Sequence, residues 1–198
     1  MAASRRTGTS PARAAIIDGA QQLMVDEGYA AVTYRAVATR AGVTAGLVQY
    51  YFPALDDLFI AVLRQGTDRI VERLAETSTS AQPLRAVWAY ASDRAGTALL
   101  MEFMALANHR KAIAPVIGEG GERVRQAQLA AISSAWERYG LGDTVPPAAL
   151  LFVMSSLPRM IRLEASFGTS IGHAETIALV EQFLDSVEPV PPERTGTG

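Results

Sequence analysis

Residues 33–53 read TYRAVATRAGVTAGLVQYYFP. Two short helices are predicted here. Thr33 caps the first, which runs to Ala41, and Thr44 caps the second, which runs to about Tyr51, because a threonine hydroxyl accepts the free N–H groups of a first helical turn. Gly42 stands between them, where a residue without a Cβ takes positive φ. Ala38, four residues earlier, is small enough to let the second helix pack close across the first. Val37, Ala41, Val43, Val48 and Tyr51 form a shared apolar core, and Pro53 closes the unit. The second helix then offers Ala45, Gln49 and Tyr50 outward, a size and chemistry suited to a major groove. The starts of both helices suit phosphates. A plain helical hairpin would share the turn at Gly42. Its combination with a polar outer face and a preceding capped helix points instead to a DNA-reading helix-turn-helix from Tyr34 to Pro53.

Outward from this stretch, almost every segment has helical periodicity and none alternates as a strand does. Ser10-Pro11 reads as a helix start, with Ser10 as N-cap. Ile16, Ile17, Ala20, Leu23 and Met24 follow at helical spacing, and Gly28 ends the helix. A fourth helix is predicted from Ala54 to Glu76. Further helices cover Pro83 to Ser92, Arg94 to His109 and Ala112 to Tyr139, the last with a kink or break expected at Gly118, Gly120 and Gly121. Pro146 and Pro147 open a long helix to Phe167, and a final one runs from His173 to Val187. The fold class is all-α, with about nine helices. Residues 1–9 read as a disordered arm and 188–198 as a disordered tail.

The chain has 198 residues, 49% of them apolar, with no cysteine and a net charge of −2. That composition supports a packed core and excludes disulfides, thiolate metal sites and cysteine nucleophiles. No secretory signal opens the chain, and its longest apolar stretch, Ala148 to Leu157, is far short of a spanning helix; a soluble, cytoplasmic protein without membrane contact is expected. Arg5, Arg6, Arg13, Arg35 and Arg40 outnumber Asp18, Asp26 and Glu27 in residues 1–50. The rest is more acidic, so only the N-terminal part is suited to a polyanion. With His109 and His173 as the two histidines, a metal site or a Ser-His-Asp triad has little material. No Gly-rich phosphate loop, His-Glu-x-x-His or Gly-x-Ser-x-Gly occurs. Neither an enzyme nor a cofactor is expected.

The stretch from Thr33 to Pro53, with its continuation Leu55-Asp56-Asp57-Leu58, resembles the signature of the TetR (tetracycline-repressor-like) family over about Ser10 to Leu63. The resemblance implies a helix-turn-helix DNA-binding domain at 10–53 and a ligand-binding and dimerisation domain at 54–187. It implies that Thr33, Tyr34 and Arg35 touch phosphates. Thr44, Ala45, Gly46, Gln49 and Tyr50 would face the groove, and Tyr51 would contact backbone phosphate. Many relatives carry a lysine shortly after the Tyr-Phe-Pro turn. Leu55 stands there, which leaves Arg40, Arg35 or the arm to supply that phosphate contact. Ala45 replaces a longer polar residue, so fewer base-edge hydrogen bonds are available. The implied protein is a repressor that binds a double-stranded, palindromic DNA operator as a homodimer and is released by a mainly apolar small-molecule effector. An all-α binding protein that uses its helix-turn-helix for protein contacts is the other reading.

The helix from Arg94 is apolar nearly all round and is expected to be central and buried. Met and aromatic side chains suit adaptable ligand sites as well as plain cores. The candidate ligand set is Trp88, Met101, Glu102, Met104, His109, Trp136, Phe152 and Met160. Glu102 is the one charge in its apolar run, and a buried unpaired carboxylate is costly. It therefore has to pair, with Arg159 and Arg162 as possible partners, take up a proton, reach solvent or anchor a ligand. Leu150, Leu151, Val153, Met154, Leu157 and Ile161 on one of the last two helices, and Ile177, Val180, Phe183, Leu184 and Val187 on the other, serve packing within the subunit, a four-helix dimer interface, or both.

Overall fold

The structure, a computed structural model, describes residues 10–77, 80–142 and 145–189. Among the described residues there are nine α-helices and no strand. They are α1 (Pro11–Glu27), α2 (Tyr34–Ala41), α3 (Ala45–Tyr51), α4 (Leu55–Thr77), α5 (Pro83–Ala91), α6 (Arg94–His109), α7 (Ile113–Ser133), α8 (Pro147–Ser166) and α9 (His173–Val187). Short 3-10 turns occupy Tyr29–Ala31 and Trp136–Tyr139. The all-α expectation holds. The expected arm, 1–9, and most of the expected tail lie outside the described residues.

The chain divides into two compact units. One comprises the residues up to Asp68 with Ala98–Gly121; the other comprises Arg69–Thr97 with the residues from Glu122 onward. Helices α4, α6 and α7 each have residues in both. The first unit buries Ile16, Ile17, Leu23 and Met24 of α1 with Val37 of α2, Val48 of α3, Leu58, Phe59 and Val62 of α4 and Phe103 and Leu106 of α6. Phe59 and Phe103 meet edge to face at 6.4 Å, the arrangement that aromatic quadrupoles favour.

Three expectations change here. Ser10 precedes α1, but its side chain makes no capping bond; its Oγ instead accepts the Tyr51 hydroxyl at 2.9 Å. Helix α6 is not buried all round. Phe103 and Leu106 are buried, whereas Met104, Ala105, Asn108 and His109 are exposed. Apolarity around the whole helix thus exceeds what one packing face of this chain covers. Helix α7 runs through Gly118, Gly120 and Gly121 without a break and ends at Ser133. A Cβ on Gly120 would lie 2.8 Å from Thr67 Oγ1, so that glycine serves close approach of α7 to α4 rather than a kink.

The second unit buries Leu74, Leu84, Val87, Ile132, Ala135, Tyr139, Leu151, Met154, Val180 and Leu184. Glu188, expected at the start of the disordered tail, is buried beside this core, 3% exposed. The cause is at the start of α5. Gln82 at the N-cap supplies no side-chain cap, so the first N–H groups need another acceptor. Glu188 provides it: Leu84 N donates to Oε1 at 2.9 Å and Arg85 N to Oε2 at 2.8 Å. The Tyr139 hydroxyl donates to the same carboxylate. Burial and this hydrogen bond push the Tyr139 hydroxyl pKa well up. Arg85 adds an ion pair to Asp185 and a bond from Nε to the Glu188 carbonyl at 2.9 Å. Glu188→Ala removes a helix cap and strands a buried hydroxyl, so it is expected to lower unfolding stability by about 2–4 kcal/mol. Glu188→Gln keeps one acceptor and is expected to lose less. Urea denaturation of the two variants measures both.

Candidate DNA-binding face

Helices α2 and α3 are held by local sequence. Thr33 Oγ1 accepts Ala36 N at 3.2 Å and Thr44 Oγ1 accepts Leu47 N at 3.2 Å, so both threonines are caps as predicted. Gly42 takes φ 66° and ψ 32°, with its N–H directed at the carbonyls of Ala38 and Thr39. Val43 N donates to Ala38 O at 2.9 Å. Val37 and Val48 are fully buried beneath the turn, and Ala41, Val43 and Tyr51 pack around them. Gly19 of α1 lies where a Cβ would be 3.4 Å from Ala41 Cβ, so α1 crosses α2 closely.

One side of α3 is left open. Ala45, Gly46, Gln49 and Tyr50 are exposed, as are the cap residues Thr33 and Thr44 and the side chain of Arg35. Tyr50 is 76% exposed, a high value for a large aromatic residue. Its ring meets that of Tyr51 edge to face at 5.4 Å.

The hydroxyls of the other two tyrosines are committed internally. Tyr34 Oη donates to Pro53 O at 2.8 Å and Tyr51 Oη to Ser10 Oγ at 2.9 Å. These bonds tie the start of α2 to the end of the unit and the end of α3 to the start of α1. Arg40 binds Asp26 at 2.7 Å and Glu27 at 3.1 Å. The bond to Asp26 raises its guanidinium pKa further. Arg40 is therefore engaged with α1, while Arg35 stands exposed on α2. Leu55 packs against the first core. Arg13, not proposed as a contact residue from sequence, lies over the Phe52 ring at 5.1 Å.

The candidate ligand residues divide between the units. Met101, Glu102, Met104 and His109 are in the first; Trp88, Trp136, Phe152 and Met160 are in the second. Trp88 and Trp136 are half-buried against the second core, whereas Met104, Phe152 and Met160 are exposed. Glu102 is half-buried, and one of its oxygens accepts Tyr29 N at 2.8 Å. No arginine pairs with it among the described residues. A Cβ on Gly28, at φ 83°, would sit 3.2 Å from the same oxygen. The His109 ring is 6.4 Å from that of Tyr29. Arg110 pairs with Asp56 at the start of α4 and lies 5.5 Å over Phe59.

A helix-turn-helix whose two helices are both capped and whose second helix is open on one side has the arrangement that suits a major groove. Residues 16–62 match the family described as bacterial regulatory proteins, tetR family. The match spans the helix-turn-helix and the start of α4, so this part of the chain is a tetR-type N-terminal domain. No curated protein matches it. Solved structures similar to it include the multidrug binding protein EbrR in complex with ethidium, at 26% identity and TM-score 0.60, covering 87% of this chain and 98% of that one. A TetR transcription regulator from Haloarcula marismortui shares the fold at 19% identity and TM-score 0.69, covering 90% and 99%. So does the reduced form of E. coli NemR, at 18% identity and TM-score 0.69, covering 87% and 97%. No single helix among the described residues is long and apolar enough to cross a membrane.

The Glu102 geometry carries a direct test. Glu102→Ala leaves the Tyr29 N–H without its acceptor and is expected to cost about 1–3 kcal/mol of stability. Glu102→Gln retains an oxygen there and is expected to stay within about 1 kcal/mol of wild type. Thermal and urea unfolding of both variants decide it.

Proposed function

We propose that the protein is an effector-responsive repressor that binds a palindromic operator as a homodimer. The observation that carries this is the open face of α3, where Ala45, Gly46, Gln49 and Tyr50 are exposed beside two capped helix starts. Such a helix enters a major groove with its early residues on base edges. Gln49 donates to and accepts from an adenine edge. Thr33, Tyr34, Arg35, Thr44 and Tyr51 position the unit on phosphates. Tyr34 and Tyr51 do so through the internal bonds that hold α2 and α3 in place. Arg13, over the Phe52 ring at the end of α3, joins the same phosphate set.

Dimerisation follows from a second surface. Phe152, Val153 and Met160 of α8 and Ile177 and Leu179 of α9 are exposed, while Leu151, Met154, Val180 and Leu184 of the same helices are buried. Each helix thus has an inner apolar stripe and an outer one. A two-fold copy covers the outer stripes and gives two recognition helices about 34–36 Å apart for successive major grooves. The effector site is assigned to the second unit, with Trp88 and Trp136 half-buried at its core. EbrR, a similar protein, binds ethidium, which supports a small-molecule effector here. Release follows if the effector favours a state that DNA does not, and the coupling is then reciprocal.

An operator selected from random DNA tests the reading. Gln49→Ala is expected to lose about 1–3 kcal/mol on the selected site and little on scrambled DNA. Arg35→Ala is expected to weaken binding on both alike, because phosphate contacts carry no sequence information. Gel-shift titration measures both, and unchanged affinity in two folded variants overturns the assignment. Leu179→Glu places a charge in the outer stripe and is expected to convert a dimer to a monomer in light scattering, whereas a monomeric wild type at micromolar concentration removes the dimer model.

A further inference from the structure

The second unit holds a polar cluster that borders the outer stripe of α8 at Phe152 and that the α3 face does not account for. Ser155 of α8 is 1% exposed and Gln128 of α7 is 2% exposed. Arg125 Nη1 and Gln128 Nε2 each donate to Ser155 Oγ at 3.3 Å. Arg125 also lies 5.7 Å over the Phe152 ring, which fixes its guanidinium. Arg159 follows Ser155 by one turn on the same face of α8 and is half-buried. Its charge reaches Arg125, whose pKa is lowered first by burial and then by Arg159. It also reaches Tyr90 of α5, as does the charge of Arg73 of α4. Burial is the main cause that raises the Tyr90 pKa, so its hydroxyl stays a neutral donor.

The charge balance of this cluster is one-sided. Among the described residues, no carboxylate forms an ion pair with Arg73, Arg125 or Arg159. The acids whose charge reaches it, Asp93 and Glu122, are exposed. Asp93 is already used as acceptor for Gly96 N at 2.8 Å. Arg73 is exposed, but Arg125 and Arg159 are half-buried, and like charges drawn partly out of water without a counter-charge are costly. A chain that keeps them beside two buried neutral side chains gains if an anion is supplied from outside.

We propose that Arg125, Arg159, Tyr90 and Ser155 form a binding site for the acidic head group of an amphipathic organic anion, and that this is the effector class. The proposal rests on the effector-responsive reading above and names its ligand chemistry. A guanidinium fork matches a planar carboxylate or the oxygens of a sulfonate or phosphate through parallel charge-assisted bonds. Tyr90 donates a neutral hydrogen bond to the same group. The remainder of the ligand is apolar because the half-buried side chains of this unit, Ile70, Trp88 and Leu157 among them, are apolar.

Two fluorescent probes of one skeleton provide the test: 1-anilinonaphthalene-8-sulfonate, which is anionic, and N-phenyl-1-naphthylamine, which lacks the sulfonate. The full chain is expected to bind the sulfonate at least about tenfold more tightly, and Arg125→Gln and Arg159→Gln are each expected to lose about tenfold for the sulfonate with little change for the neutral probe. Without probe, each variant is expected to melt at or above the wild-type temperature, because one member of a repelling pair is gone. Equal affinity for the two probes, or a preference for the sulfonate that survives both substitutions, overturns the proposal. So does marked destabilisation of both variants, which makes the arginines part of the fold. DNA binding is measured separately. A wild type that shows the charge preference but binds no DNA keeps the anion site and removes the transcriptional reading. One that binds DNA without the preference does the reverse.

Discussion

At Gly42 the backbone enters the left-handed region, and in two residues the chain passes from the end of α2 to the cap of α3. A Cβ at Gly42 would meet no other atom within 4 Å. The requirement is therefore one of backbone conformation and not of space. The rotational setting of α3 depends on this turn. One residue more or less would rotate the helix by about 100°, taking Val48 out of the core and turning Gln49 and Tyr50 inward. The hydrogen bonds from Gly42 and Val43 back to Ala38 hold the turn at its shortest length. The bonds of Tyr34 to Pro53 and of Tyr51 to Ser10 close the unit around it.

That unit does not consist of α1 to α4 alone. Phe103 and Leu106 of α6 complete its core, and two polar contacts flank them. Glu102 accepts the free N–H at Tyr29 where the chain leaves α1, and Arg110 pairs with Asp56 at the start of α4. Asp57 accepts Ala54 N at 3.2 Å in the same turn, so the two acidic residues at the N-terminus of α4 serve different partners. Both carboxylates also lie where the helix dipole favours negative charge. A displacement of α6 therefore acts on the start of α4 and on the exit from α1 together. Its first residues, Arg94–Thr97, belong to the second unit.

The second unit contains two buried polar arrangements with opposite balances. At Glu188 a carboxylate is surrounded by donors: two backbone N–H groups and a tyrosine hydroxyl. Its desolvation is compensated within the chain, so it reads as architecture. At Ser155 the donors outnumber the acceptors, and the positive charges of Arg125 and Arg159 stand without an ion-pair partner among the described residues. The chain completes the first arrangement and leaves the second open. That difference in hydrogen-bond and charge balance separates a structural cap from a candidate binding site.

Elements whose partners lie within a turn or two were legible in the sequence. The caps Thr33 and Thr44, the left-handed Gly42, the buried Val37 and Val48, the open face of α3 and the order of helices all depend on separations of a few residues, where the spacing of residue types constrains geometry directly. The family resemblance rested on the same local signals. Tertiary structure decided the rest. Glu102 found the N–H of a residue 73 positions away, and Glu188 the start of a helix 104 positions away. Gly120 proved to be a point of close approach to Thr67, and Arg125 of α7 met Ser155 of α8. Composition marks such residues as costly to bury, but it does not say what compensates them. The compensating group is chosen by packing between distant segments, and in an all-α chain helical periodicity specifies which face is apolar without specifying which neighbour covers it.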